Sequence, residues 1–287
     1  MIKAFLGTGL LGSGFVKAML KKGETVQVWN RTFSKAKELE SFGAKAFSNS
    51  SDAVKDAGRV HLALKDDASV EEVLNAVAGS LEPGCIIIDH TTTSKEGAIS
   101  RTAYWKEKGF TYQHAPVFMG PANALESTGF MLVSGDAQII AELEKELSAM
   151  TGKLLNFGPE VGKAAAMKLA GNAFLVCFTF GLRETAAVAQ SLDLSVNDLQ
   201  QLFSDWNPGA QVKGRLERMS SADLSKPSWE LAMARKDTGL FLDAAANSGV
   251  ALSLLPVIAG VMDEWIEKGF GNYDWTIVAS ELFDKEK

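Results

Sequence analysis

Cysteine and histidine are scarce in this chain, with 2 and 3 residues among 287. Cys85 and Cys177 each lie inside an apolar run, so no disulfide framework is available and a reducing, cytoplasmic setting is expected. His61, His90 and His114 are dispersed over different predicted strands or strand ends, without the spacing of a metal site, and are read as structural. Blocks of like charge are absent as well. The 29 basic and 35 acidic residues give a net charge of −6 and are mixed along the sequence. That argues against nucleic acid or an anionic membrane surface as partner, because both need a concentrated basic face.

Long unbroken apolar runs are also missing. The apolar start, Met1 to Leu20, has one early lysine, four glycines and no clear cleavage site before Lys21-Lys22, so a secretory signal is not expected. Ala244 to Met262 is the longest uncharged run. Asn247-Ser248-Gly249 and Pro256 break it into two helices, and no membrane span is expected. A chain of 287 residues that is 46% hydrophobic can bury a large core, divided between two domains.

What is present is first an alternation. A short apolar run, Ile2 to Leu6, leads into Gly7-Thr8-Gly9-Leu10-Leu11-Gly12 and a helical pattern that ends at Lys22, with Gly23 as its cap; a strand follows from Thr25 to Trp29. This is GxGxxG between a strand and a helix, the setting in which glycines make a tight turn and let a pyrophosphate approach the amides of a helix N-terminus. The end of the second strand selects the cofactor. An NAD site places a carboxylate there for the ribose 2′-OH, whereas here the residues are Asn30-Arg31-Thr32 with Lys35 nearby. A neutral residue followed by cations suits a 2′-phosphate, so NADP(H) is expected.

Further strands are predicted at 59–64, 85–89, 110–115, 129–133 and 153–157, with helices over 34–42, after Asp67 to about Val77, and over 94–108. Such alternation gives a mostly parallel, Rossmann-type sheet with ligands beyond the carboxyl ends of its strands. Leu64-Lys65 and Thr92 each close or follow a strand and are candidates for that crevice.

After Gly158-Pro159 the strand signal stops. Lys163 to about Gln190 contains no proline and no turn cluster, and reads as one long helix. Lys168 stands at the edge of an uncharged run from Leu169 to Leu182, and Asn172 shares its helical face. A helix capped near Ser195, a break at Trp206-Asn207-Pro208-Gly209, a helical stretch over 228–247 and two later segments complete an all-α half. The expected domains are 1–162, which binds NADP(H), and 163–287, with the substrate site at their junction.

Taken in order, GTGLLG, WNRT, DHTTT, HAPV, GKAAAMKLAGN and ARKDTGL resemble the β-hydroxyacid dehydrogenases, in the manner of the NADP-using glyoxylate and succinic semialdehyde reductases and of 3-hydroxyisobutyrate dehydrogenase. The resemblance covers essentially the whole chain. It implies that Lys168 is the catalytic acid/base with Asn172 beside it, that Thr92 lines the nicotinamide site, and that Lys236, followed by Asp237, reaches cofactor and substrate. It also implies a homodimer or homotetramer.

Three departures from that pattern stand out. Where the family has a serine and a glycine that hold the substrate carboxylate, this chain has Phe118 and Met119 before Gly120, which predicts a more apolar substrate pocket. His114 replaces an acidic residue, and Ala164 replaces a glycine. Reduction of a small carbonyl, hydroxy-acid or aldehyde substrate is one expectation. Imine reduction or reductive amination is a second, and a non-catalytic nucleotide-binding scaffold a third.

Overall fold

Ile2–Leu6 (β1) is buried at Ala4, Phe5 and Leu6 because helices cover both faces of its sheet; a strand so placed is continuously apolar rather than alternating. The computed structural model describes residues 1–221 and 223–283. In chain order β1 is followed by α1 (Leu10–Lys21), β2 (Thr25–Trp29), α2 (Phe33–Lys37), β3 (Lys45–Phe47), α3 (Ser50–Ala53), β4 (Ala57–Leu62), α4 (Asp67–Val77), β5 (Ile86–Asp89) and α5 (Lys95–Glu107). Next come β6 (Thr111–His114), β7 (Val117–Phe118), α6 (Pro121–Glu126), β8 (Phe130–Val133), α7 (Ala137–Ser148), β9 (Lys153–Asn156) and α8 (Lys163–Ser191).

Six strands form a parallel sheet in the order β3-β2-β1-β4-β5-β6, that of a doubly wound dinucleotide-binding domain. The expected α/β class is therefore found. The strands near 129 and 153 are not part of that sheet. They join a second, three-stranded sheet, β7-β8-β9, in which β7 runs antiparallel to β8. The large sheet packs between two apolar layers, one containing Phe5, Phe15, Val28 and Ile88, the other Leu6, Leu62, Ile87 and Trp105. Each such fully buried side chain contributes about 1.5–3 kcal/mol.

The chain divides into two compact units at Ala173/Phe174. The sequence reading set its boundary at 162/163, where the strand signal ends. The difference arises because the first turns of α8 pack with the α/β unit: Ala164 and Ala165 are buried, and the Ala164 amide donates to Ser134 Oγ at 2.9 Å.

The second unit, from Phe174 onward, holds the rest of α8, α9 (Val196–Asp205), α10 (Val212–Ser221), α11 (Leu231–Asn247) and α12 (Leu255–Trp265). Its core gathers Leu231, Ala234, Met262, Trp265 and Ile277. The carboxylate of Glu184 accepts from the amides of Ser253, Leu254 and Leu255, placing negative charge at the N-terminus of α12. By length and hydropathy α8 could cross a membrane, with mean hydropathy 1.5 over an 18-residue window of which 11% is buried. The sequence predicts this long helix, and expects no membrane span.

Candidate active site in the first unit

Register sets the site. Trp29, Leu6, Leu62, Asp89 and His114 pair in one row across the parallel sheet. The next residue of each chain segment therefore emerges at the same edge. There the loops that follow β2, β1, β4 and β5 surround a cleft of about 580 Å³.

The glycines make the cleft floor. Gly7 has φ +99°, and a Cβ on it would stand 2.4 Å from Ala63 O, so only glycine lets the loops after β1 and β4 approach. A Cβ on Gly12 would stand 2.0 Å from Gly7 O, so this glycine closes the turn onto α1. Gly9 differs: nothing lies within 4 Å of its missing Cβ. It leaves open space beside the first amides of α1, where an anionic group is stabilised.

Of the sequence-expected cofactor residues, Gly7, Gly9, Leu10, Leu11, Gly12, Asn30, Arg31, Thr32, Lys35, Leu64, Lys65 and Thr92 all line this cleft. Thr8 does not. It is buried, and its amide donates to Asn30 Oδ1 at 3.1 Å while Asn30 Nδ2 donates to Thr32 O at 3.0 Å. Asn30 thus ties the glycine turn to the segment that carries Arg31. The loop after β5 is fixed by Asp89, whose Oδ1 accepts from the Thr91 amide at 2.9 Å; Thr91 Oγ1 in turn accepts from the Leu64 amide at 3.0 Å. Thr92, between two buried threonines, remains exposed to the cleft.

Lys168 comes from the second turn of α8 and is only 8% exposed. Its Nζ donates to Asn172 Oδ1 at 3.0 Å and lies 4.2 Å from the centroid of the Phe118 ring. Burial lowers its pKa from the ordinary lysine value. Met119 and Val117 line the cleft, whereas Phe118 and Asn172 stand around the lysine. Gly120 caps α6, and its amide donates to Asn123 Oδ1 at 2.9 Å. Lys236 and Asp237 belong to α11 in the second unit, where they pair with each other at 2.8 Å.

The sequence reading missed several lining residues. Ser69, Glu72 and Val73 occupy the first turns of α4 at i, i+3 and i+4, so the helical period could have placed them together. His90 also lines the cleft. It is not isolated, as its spacing suggested: its Nε2 lies 3.1 Å from His61 Nδ1, and its Nδ1 lies 2.9 Å from Ala115 O. Burial holds the His90 imidazole down to about 3, so it is neutral. His114, the departure from the acidic residue, sets its Nε2 2.9 Å from Thr91 O. Since a carbonyl only accepts, Nε2 carries the proton and His114 donates to the loop that bears Thr92. Among the described residues no cluster of His, Cys, Asp or Glu could hold a metal.

Arg31, Lys35, Lys65 and Lys168 face this cleft against one carboxylate, Glu72. With the helix N-terminus and the open place at Gly9, the wall fits a phosphate-bearing dinucleotide. The NAD binding domain of 6-phosphogluconate dehydrogenase matches residues 3–158, more than half of the chain. The 3-sulfolactaldehyde reductase of Escherichia coli (strain K12) is 27% identical over 287 aligned residues, covering 97% of this chain and 95% of that protein. The probable 3-hydroxyisobutyrate dehydrogenase of Mycobacterium tuberculosis (strain ATCC 25618 / H37Rv) is 26% identical over 258 residues, covering 88% and 87%. Among solved structures, an imine reductase from Myxococcus stipitatus in complex with NADP+ has a TM-score of 0.89 at 22% identity, covering 98% of this chain and 100% of that one, which shows a shared fold. A cleft fit for a dinucleotide and lined by a buried lysine, and a family match over most of the domain that forms it, agree: the chain belongs to the β-hydroxyacid dehydrogenase family of oxidoreductases and carries the nicotinamide-cofactor-binding domain of 6-phosphogluconate dehydrogenase.

Proposed function

We propose that the protein is an NADP(H)-dependent reductase of a small aldehyde or ketone, or the reverse dehydrogenase, with Lys168 as proton donor and acceptor. The observation that carries this reading is the placement of Lys168 Nζ: buried, hydrogen-bonded to Asn172, and on the wall of the cleft that Thr92 also lines. When bound, the nicotinamide supplies or accepts the hydride. The protein's own residues do the rest. The amides at the start of α1 hold the pyrophosphate, Arg31 and Lys35 take the 2′-phosphate, and Asn30 keeps the loop that carries Arg31 in place. Lys168 gives its proton to the carbonyl oxygen as charge develops there, and a buried amine with a lowered pKa is suited to that task near neutral pH. Lys236 is proposed to reach cofactor and substrate, on the family resemblance.

Phe118 and Met119 support a substrate whose reacting end is not flanked by a carboxylate. The same pair favours an imine as a second reading. A panel of neutral aldehydes and ketones, 2- and 3-oxo acids and cyclic imines, followed by NADPH and NADH absorbance, tests both. NADPH-dependent turnover of a neutral carbonyl is expected. Turnover confined to imines, or no turnover with any member, contradicts the first reading. The double variant Phe118→Ser with Met119→Gly is expected to shift kcat/KM toward succinic semialdehyde over an uncharged ketone.

We also propose a homodimer or homotetramer in a reducing compartment. Phe174, Leu175, Val176, Phe178 and Phe180 are exposed along α8. The uncharged run Leu169–Leu182 has 14 residues, ~21 Å of helix against the ~30 Å core of a bilayer. A second copy of the chain suits this face better than lipid does. Light scattering on the detergent-free protein is expected to give a dimer or larger; a monomer contradicts it.

A further inference from the structure

Lys168, Gly171 and Asn172 stand at i, i+3 and i+4, on one face of α8. Phe118, from the two-residue strand β7, packs on that face. A Cβ on Gly171 would lie 2.3 Å from Phe118 Cζ and 2.9 Å from Cε1, so the ring edge fills the space that any side chain at 171 would need. The ring centroid lies 4.2 Å from Lys168 Nζ, and the amide oxygen of Asn172 lies 3.0 Å from the same nitrogen. We propose that Phe118 sets the protonation of Lys168: its ring, seated in the gap left by Gly171, holds the ammonium and so favours the proton-loaded form of the donor. Phe118 is thus a positioning residue rather than mere apolar bulk.

The opposing influences can be named. Burial favours the neutral amine and lowers this lysine from its ordinary value. Asn172, on the same helix, is neutral. The charged or titratable groups on the other walls of the cleft are Arg31 and Lys35 after β2, Lys65 and Glu72 near α4, and His90 after β5. Among the described residues none of these forms an ion pair with Lys168; Lys65 pairs with Asp66. Besides the Asn172 oxygen, which accepts from Nζ at 3.0 Å, the Phe118 face at 4.2 Å is the neighbouring group that favours the cation. Cation–π contacts, from exposed to desolvated, correspond to about half a unit to one and a half units of pKa.

The inference takes its catalytic meaning from the proposed role of Lys168, but its test does not need turnover. The ¹³Cε signal of Lys168 is titrated in lysine-labelled, cofactor-free protein, assigned by its loss in Lys168→Ala. Phe118→Leu, which keeps apolar bulk and removes the ring, is expected to lower the pKa by about half a unit to one and a half units. Incorporating 3,5-difluorophenylalanine at position 118 preserves shape and weakens the ring face, and is expected to lower the pKa by less. Gly171→Ala, which must push the ring aside, is expected to shift it in the same direction. In the pH profile for NADPH-dependent carbonyl reduction the alkaline limb should move down by the same amount, because the active donor is the protonated lysine. An unchanged or raised pKa in the difluorophenylalanine protein overturns the inference. If Lys168→Ala keeps its turnover while that pKa does shift, the proposed catalytic role has failed and the ring–ammonium coupling stands.

Discussion

Lys168 donates a 3.0 Å hydrogen bond from Nζ to Oδ1 of Asn172, one helical turn further along α8. The amide partly replaces the water that burial removes without adding charge, so the lysine keeps a lowered pKa and a fixed direction. Asn172→Ala is expected to reduce turnover roughly tenfold by removing that partner. Asn172→Asp puts a carboxylate in its place, which favours the ammonium and should raise the alkaline limb of the pH profile by about 1–3 units. A limb that stays in place in Asn172→Asp would separate the pair from the chemistry.

The proposed preference for NADP(H) rests on Arg31. A guanidinium–phosphate hydrogen bond contributes about 1.5–3 kcal/mol. Arg31→Ala should therefore weaken NADPH about 10- to 100-fold and leave NADH within about twofold, read by isothermal titration. Equal losses for both cofactors would remove Arg31 from 2′-phosphate recognition.

The glycines of the turn separate by function. Gly9→Ala meets nothing within 4 Å, and its φ of −68° suits alanine, so the melting midpoint should hold while NADPH affinity drops about tenfold or more. Gly12→Ala drives a methyl into Gly7 O and should cost about 1–3 kcal/mol of stability. An unchanged affinity in Gly9→Ala would mean that the cofactor does not approach this turn.

These glycines were legible in the sequence because backbone geometry demands them locally, and the cleft-lining Asn30, Arg31 and Thr32 because they follow a strand. The Lys168–Asn172 pair was legible because both lie on one helix at a fixed period. Contacts made across the sheet were not. His61 and His90 are 29 residues apart and meet because β4 and β5 are neighbours. Phe118 stands on a strand of two residues, too short to show a pattern, and its fit against Gly171 depends on where α8 packs. The domain boundary moved for the same reason, since tertiary packing, not composition, holds the start of α8 in the first unit.

Acid should weaken the fold through its buried imidazoles. Unfolded histidine titrates near ~6.5. In the fold burial holds His90 down to about 3 and also lowers His61 and His114. The unfolded chain therefore binds more protons below the unfolded value, so this stability is full above it and is lost as pH falls toward the folded value. From about pH 7.5 to about pH 5, His90 alone should remove about 2 kcal/mol, measured by denaturant unfolding. A flat stability over that interval would contradict the neutral, buried assignment.

The most direct test of the account is steady-state reduction of a neutral carbonyl by Lys168→Ala with NADPH, alongside the cofactor dissociation constant of the same protein. Loss of general-acid catalysis predicts a fall in kcat of about 10²–10⁴-fold, with the NADPH constant within about twofold of the parent. Turnover that survives the substitution, with the cofactor still bound, would contradict it.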